Sequence, residues 1–177
     1  RELSLYHKAG ISGKLGYQPD EKLLVTFASD YHWAKKDIPV ATRFAPGDTP
    51  RYWRFPNWER YSATLSGELK MNSRLALKSV LFADAYNDRL INYLNANMSD
   101  DQIDYDSLLE NFTIGGLVHG EYRLSQQHQL LAGIQFRQDQ MEKKADLDEP
   151  WDDHFALTGS LFLQDDFQPW KNTTLTL

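Results

Sequence analysis

The sequence predicts an all-β protein: a portion of an antiparallel, up-and-down transmembrane β-barrel with about eight long strands. Three observations support this fold class. Apolar and polar residues alternate with period two, as in residues 3–18, where Leu3, Leu5, Ile11 and Leu15 fall on one face. The alternating stretches are longer than the roughly five or six residues typical of strands in soluble proteins. Short turns alternate with long connections along the chain.

Composition narrows the class of protein. The chain has 177 residues with a mean hydropathy of -0.58, and no run approaches the roughly 18 apolar residues of a membrane helix. A barrel wall needs no such run, because half of each strand faces water. The net charge of -6, from 19 basic and 25 acidic residues, disfavours nucleic acid as a partner. The absence of cysteine excludes a disulfide scaffold and a thiolate metal site.

Eight segments carry the alternating pattern, and the third is the most regular. There Tyr61 and Leu65 alternate with Arg60 and Ser66. The fourth is less regular, and which of its faces is apolar stays open. The predicted strands cover about residues 3–18, 22–35, 59–70, 75–87, 112–124, 129–140, 154–167 and 172–177.

The connections predict the orientation of the strands. The short ones, rich in Pro, Asp, Asn and Ser, are residues 19–21, 72–73, 125–127 and 169–171. The long ones are about residues 36–58, 88–111 and 141–153. Bacterial outer-membrane barrels have short periplasmic turns and long extracellular loops. We therefore expect the bacterial outer membrane as the location, with the first strand running toward the periplasm.

Aromatic residues are predicted near the strand ends of the apolar face, where barrels carry two aromatic girdles. The alternative is the general preference of aromatic residues for strands. These residues are Tyr17, Tyr31, Trp33, Tyr61, Phe112, Tyr122, Phe136, Phe155 and Phe167.

The other face carries charges, which at the midplane of a membrane would each cost about 2–4 kcal/mol if they faced lipid. That cost predicts that the charged face points toward the lumen or a plug, and that the apolar face contacts outer-membrane lipid. The predicted lumen- or plug-facing residues are Lys14, Arg60, Glu68, His119, Glu121, Arg123, Arg137 and Asp139.

Three segments resemble barrel hairpins of TonB-dependent outer-membrane receptors: LKSVLFADAYNDRLINY (77–93), HQLLAGIQFRQD (128–139) and SLFLQDDFQPWKNTTLTL (160–177). The last is similar to a recurring strand in which Phe-x-Gln-Asp-(Asp/Glu) is followed by a turn and Leu-Thr-Leu. The resemblance extends loosely along all 177 residues.

The resemblance implies a barrel of about 22 strands, closed by an N-terminal plug domain. Such a receptor binds a scarce nutrient, often a ferric siderophore or cobalamin, and TonB relays energy for uptake. No plug, energy-coupling box or final barrel strand with a terminal aromatic residue is evident in the sequence. The chain begins with Arg1 and stops at Leu177 inside a strand pattern. We therefore expect residues 1–177 to be one partial barrel domain, with transport belonging to the parent protein.

The first long connection is the predicted ligand-binding region. Between positions 35 and 57 it holds five basic and two acidic residues, a balance of +3. Guanidinium groups and aromatic faces together suit an anionic aromatic ligand such as a catecholate iron chelate. The alternative is that the rings pack the loop onto the barrel rim. The candidate ligand-binding residues are Arg43, Arg51, Tyr52, Trp53, Arg54 and Trp58.

The remaining polar residues predict no catalysis. The other two long connections carry balances of -5 (88–110) and -4 (142–153), and their spacing matches no calcium loop, so we interpret them as solvated. His32, His119 and His154 are interpreted as wall residues rather than metal ligands or proton carriers. We expect no enzyme, no metal site and no cofactor. The open alternatives are a passive channel, a small eight-strand barrel and a soluble all-β ligand-binding barrel.

Overall fold

A computed structural model of the chain describes residues 5–38 and 52–176. They form one antiparallel sheet in which the strands follow chain order, which confirms the predicted up-and-down topology. A 3₁₀ turn, Asp100–Gln102, precedes the fifth strand. No helix in the described residues is long and apolar enough to cross a membrane. The strands are β1 (Tyr6–Tyr17), β2 (Leu23–Ile38), β3 (Tyr52–Lys70), β4 (Leu75–Tyr93), β5 (Ile103–Arg123), β6 (His128–Lys144), β7 (Asp152–Trp170) and β8 (Thr173–Thr176).

Each strand pairs only with its neighbours in sequence. Within the described residues β1 and β8 therefore have one partner each, and the sheet is open. The β8 strand pairs with the end of β7 through Asp166, Phe167 and Trp170.

The strands extend further toward the long connections than the sequence predicted. The β2 strand continues to Ile38, and β3 already begins at Tyr52. The β4 strand continues to Tyr93, and β5 already begins at Ile103. The predicted loop at 88–111 thus shrinks to 94–102. The prediction was wrong there because polar and apolar residues are mixed on both faces, as in residues 88–93 (DRLINY). The period-two signal therefore fades, although main-chain pairing continues. The last turn also lies later than predicted, at 171–172.

The short turns are stabilised by side chains that accept main-chain hydrogen bonds. Asp20 Oδ1 accepts from the N–H groups of Lys22 (2.7 Å) and Leu23 (2.9 Å). Asn72 Oδ1 and Ser125 Oγ each accept from the residues two and three positions later. This local bonding explains why Asp, Asn and Ser in these short segments reverse the chain.

The register places opposite residues on one face of the sheet. One row across seven strands, on what we call the apolar face, consists of Leu15, Phe27, Leu65, Leu81, Gly116, Phe136 and Gly159. This row also assigns the fourth strand: Leu81 lies on the apolar face, whereas Val80 and Phe82 lie on the opposite, polar face.

Neither face of the sheet is covered by another layer of the described residues. On the apolar face Ile11 is 72% exposed and Leu161 is 83% exposed. Buried apolar side chains occur among the described residues only at Ala34, Ile91, Tyr93 and Met98, all toward the long connections. The sheet is a wall with two open faces rather than half of a sandwich.

Two glycines in β5 make room for aromatic rings. A Cβ atom on Gly115 would lie 2.4 Å from the ring of Phe82 on the polar face. A Cβ atom on Gly116 would lie 2.7 Å from the ring of Phe136 on the apolar face. Phe136 therefore packs at mid-strand, which corrects its predicted place near a strand end.

Candidate functional site

The polar face carries a row in which hydroxyl groups and carboxylates alternate across six strands. Within it, Ser62 Oγ donates to Asp84 Oδ1 at 2.6 Å, and Thr113 Oγ1 donates to Asp139 Oδ1 at 2.6 Å. The row consists of Ser12, Asp30, Ser62, Asp84, Thr113 and Asp139.

Each carboxylate of this row has a basic neighbour. Arg60 Nη2 lies 3.4 Å from Asp84 Oδ1, and Arg137 Nε lies 2.8 Å from Asp139 Oδ2. His32 Nε2 lies 3.4 Å from Asp30 Oδ2. The wall thus neutralises much of its own charge.

A second polar cluster lies nearer the short turns. Lys78 Nζ donates to Glu121 Oε1 at 2.6 Å, and His119 Nε2 lies 3.4 Å from the same oxygen. Glu68 and His119 flank Lys78 in register on the neighbouring strands. Lys78 completes the cluster and was not singled out from the sequence.

All eight residues predicted to face the lumen or a plug share the polar face in register. Their contacts differ. Six of them have a charged side chain within 4.0 Å. Lys14 and Arg123 have no hydrogen-bond or ion-pair partner among the described side chains.

An aromatic cluster lies on the polar face toward the long connections, and we define it as Lys36, Phe55, Trp58, Tyr86 and Asp88. Lys36 Nζ is 4.5 Å from the centre of the Phe55 ring and 6.0 Å from that of Trp58. Trp58 meets Tyr86 edge to face, with centroids 5.6 Å apart. The Tyr86 hydroxyl donates to Asp88. Burial raises the pKa of Asp88, and the Tyr86 hydrogen bond opposes that rise.

Of the predicted ligand-binding residues, Tyr52, Trp53, Arg54 and Trp58 lie in β3 rather than in a loop. Trp58 belongs to the aromatic cluster. Arg43 and Arg51 lie outside the described residues.

Arg54 is occupied by contacts within the sheet. Its Nε donates to Asp37 Oδ1 at 2.8 Å, and the Asp37 side chain is only 8% exposed. The guanidinium lies 5.4 Å from the centre of the Tyr93 ring, and Nη2 is 3.6 Å from Met98 Sδ. The hydrogen bond to Asp37 raises the pKa of Arg54. A direct role for Arg54 in ligand binding stays a prediction.

Tyrosines mark a boundary on the apolar face. The rings of Tyr31 and Tyr61 lie 4.7 Å apart, and both hydroxyls donate to Glu59, at 3.2 and 3.3 Å. Glu59 belongs to the next row, which continues through Asn87 to Glu110. The face therefore changes from apolar to acidic within one row.

The sequence pattern did not predict that Lys36, Phe55, Tyr86 and Asp88 form a cluster with Trp58. Residues 55 and 58 were assigned to a loop, and the facing of residue 86 was open. A signal was present in the sequence. If the alternation of the third strand is continued from residue 59 back to residue 58, Trp58 falls on the same face as Arg60.

Comparisons with known proteins bear on the fold. No family model matches the chain, and no curated protein matches its sequence. The sheet is similar to the crystal structure of the ferric yersiniabactin uptake receptor FyuA from Yersinia pestis, with a TM-score of 0.62. The match covers 95% of this chain and 27% of that receptor, at 10% sequence identity. The fold is that of a β-barrel wall segment. The chain spans about a quarter of the receptor's length.

Proposed function

We propose that the chain is part of the wall of a TonB-dependent outer-membrane receptor that binds and imports a scarce nutrient such as a ferric siderophore. One observation carries the proposal. Five consecutive rows of the apolar face, from the row of Leu23 to the row of Tyr31, contain no charged residue among the described strands. The rows of the polar face that lie between these five rows do contain charged residues, such as Lys14, Asp84 and Arg137.

The dimensions of these rows fit a membrane. Nine residues, Leu23 to Tyr31, span about 26 Å along a strand. A transmembrane strand tilted by about 45° crosses the apolar part of a membrane in about 9–11 residues, so these nine residues are just long enough. The tyrosines that donate to Glu59 lie where this apolar part would end, and amphipathic rings favour that depth.

The proposed activity is binding and transport rather than catalysis. The aromatic cluster supports ligand binding, because it combines the Lys36 ammonium with the rings of Trp58 and Tyr86 near the long connections. A cation beside aromatic faces suits an anionic ligand with aromatic groups. The polar face below it would surround the path of that ligand toward the periplasm.

An uptake assay tests this function. The full-length protein is produced in a Gram-negative host that lacks its own siderophore receptors, with and without TonB. Accumulation of radioactive iron is measured for a panel of catecholate, phenolate and hydroxamate ferric chelates. We expect TonB-dependent uptake of at least one chelate, and uptake of none would contradict the proposal.

Substitutions locate the binding surface. Trp58→Ala should weaken chelate binding by roughly tenfold, about 1.4 kcal/mol. The matched control is Trp151→Ala, because Trp151 also has a lysine, Lys144, 5.4 Å from its ring but lies in the β6–β7 connection. If both variants lose the same amount of chelate affinity, the aromatic cluster is not part of the binding site.

The rival functions predict different results. A passive channel would admit solutes without TonB. A soluble ligand-binding barrel would stay monomeric without detergent, although Leu161 and Leu163, 83% and 74% exposed, argue against this.

A further inference from the structure

A histidine and an aspartate form a pair on the apolar face, just beyond the five uncharged rows. In the row that follows the row of Leu23 toward the short turns, Asp165 lies opposite Leu130. His128 Nδ1 lies 2.8 Å from Asp165 Oδ2. An ionised carboxylate can only accept a hydrogen bond, so Nδ1 is the ring nitrogen that carries the proton and donates.

This pairing leaves the second ring nitrogen of His128 available. Nε2 has no partner among the described residues and is not buried, and the side chain is 36% exposed. Because Nδ1 holds the proton, Nε2 of the neutral ring is an acceptor. The other carboxylate oxygen, Asp165 Oδ1, is buried and has no hydrogen-bond partner in the same part of the chain. The pair therefore offers an accessible acceptor beside a negative charge.

Two aromatic residues follow the pair on the same face. The His128 ring stacks on Phe167, with centroids 4.5 Å apart and an angle of 18° between the planes. The bulge between Phe167 and Trp170 keeps these two residues on one face, because their partners Leu175 and Thr173 lie two positions apart. Trp170 is 72% exposed. Aromatic faces attract cations, so the surroundings of the pair favour a cation that can also donate a hydrogen bond.

The pair lies at the depth of lipid headgroups if the uncharged rows span the apolar part of the membrane. Asp165 is two residues beyond Leu163, which belongs to the row of Leu23. Two residues rise by about 7 Å along a strand, or about 5 Å in depth at a tilt of about 45°. The headgroup layer on each side of a bilayer is about 5–7 Å thick.

We propose that His128, Asp165, Phe167 and Trp170 bind the headgroup of a phospholipid that ends in a primary ammonium, as in phosphatidylethanolamine. The ammonium donates to His128 Nε2, and the charge of Asp165 stabilises it. Continuity with the uncharged rows selects a lipid over a soluble amine, because the acyl chains of the same molecule lie on those rows. A quaternary ammonium has no N–H to donate, and Asp165 repels an anionic headgroup. This inference rests on the proposed function, because it takes the apolar face as the lipid-facing one.

Native mass spectrometry of the full-length protein tests the inference. The protein is reconstituted at about pH 8, where an ordinary imidazole is neutral, in nanodiscs with equal amounts of phosphatidylethanolamine, phosphatidylcholine and phosphatidylglycerol of matched acyl chains. The lipids that stay bound to the released protein are then counted. We expect phosphatidylethanolamine to be retained about tenfold more than either of the other lipids, the effect of one hydrogen bond to a charged group.

Substitutions assign the preference to the pair. His128→Phe keeps a ring to stack on Phe167 but removes the acceptor, so it should lower the preference by about tenfold. Asp165→Asn removes the negative charge and should also lower it. The matched control is His154→Phe, because His154 Nε2 also lies near an aspartate, 3.0 Å from Asp152 Oδ2, but on the polar face. This control should leave the preference unchanged.

Several results would overturn the lipid site: equal retention of the three lipids, a preference for phosphatidylcholine or phosphatidylglycerol, or a preference that survives His128→Phe. Heat-modifiable migration on gels confirms that each variant is folded. Iron uptake is scored separately. A protein that selects phosphatidylethanolamine through His128 but imports no chelate refutes the proposed function alone, and one that imports a chelate without this selection refutes the lipid site alone.

Discussion

Gly115 and Gly116 show how single residues shape both faces of the wall. Adjacent residues of a strand point to opposite faces, so these glycines admit Phe82 on one face and Phe136 on the other. Each ring covers the main chain at one of the two glycines, where no side chain is present.

Gly115→Ala should destabilise the sheet by about 1–3 kcal/mol through overpacking. Its new Cβ would lie 2.4 Å from Phe82 Cζ and 2.9 Å from the carbonyl oxygen of Phe136. Urea unfolding in micelles measures the change. Gly13→Ala is the matched control, because no atom lies within 4 Å of its Cβ position; similar losses in both would contradict the packing argument.

Arg54 is expected to stabilise the loop end of the sheet whether or not it also binds a ligand. Arg54→Met should cost about 1–3 kcal/mol, because it leaves the carboxylate of Asp37 without its charged partner. Asp37→Asn combined with Arg54→Met should cost less than the sum of the single changes. A double-mutant cycle by urea unfolding tests this, and additive effects would argue against the pair.

Asp20 should make the first turn sensitive to acid. The hydrogen bonds from the N–H groups of Lys22 and Leu23 lower the pKa of Asp20 below its ordinary 3.8. Because the folded pKa is lowered, the contribution is present above about pH 4 and is lost as the pH falls through the folded value. Unfolding midpoints from pH 6 to 2 should fall more steeply for the wild type than for Asp20→Asn. Parallel curves would show that Asp20 does not contribute.

At the scale of the strand, the decisive property is which face each residue occupies. The prediction from alternation was confirmed most clearly in β3, where Leu65 lies in the apolar row and Ser66 faces the other way. The strand ends were predicted poorly, because residues such as Tyr52 and Trp53 pair through their main chain without an alternating pattern.

Leu65→Arg should abolish membrane insertion, whereas Ser66→Arg should be tolerated. An arginine at the midplane of the lipid-facing side costs about 2–4 kcal/mol, and one on the lumen side avoids that cost. Protease protection and heat-modifiable migration of outer-membrane fractions measure insertion. If the Leu65→Arg variant inserts and the Ser66→Arg variant does not, the assignment of the two faces would have to be reversed.

At the scale of the whole molecule, the open sheet concentrates stability in its centre. The β4 and β5 strands are paired along both edges, whereas β1 is paired along one. A lone edge in a membrane leaves main-chain groups without partners, so the proposed membrane location requires a further partner for each of the edge strands β1 and β8.

Hydrogen exchange should reveal this edge. In the 177-residue chain in micelles, the β1 amides that point away from β2 should exchange far faster than those of β4. In the full-length protein the same β1 amides should be protected. Protection of β1 in the chain alone would instead support closure into a small eight-strand barrel.

Alternation along the chain was enough to predict a two-faced wall, its topology and the shared face of the eight polar candidates, because these properties depend on local periodicity and on which turns are short. It was not enough to predict which charges are already paired. The sequence presents Arg54, Arg123 and Arg137 as equivalent cations. Arg137 pairs with Asp139 two residues further along its own strand, but the register is needed to separate Arg54 from Arg123, because their availability depends on the neighbouring strand. Arg54 reaches Asp37 on the neighbouring strand, 17 residues earlier in the chain, whereas Arg123 reaches no acid among the described residues.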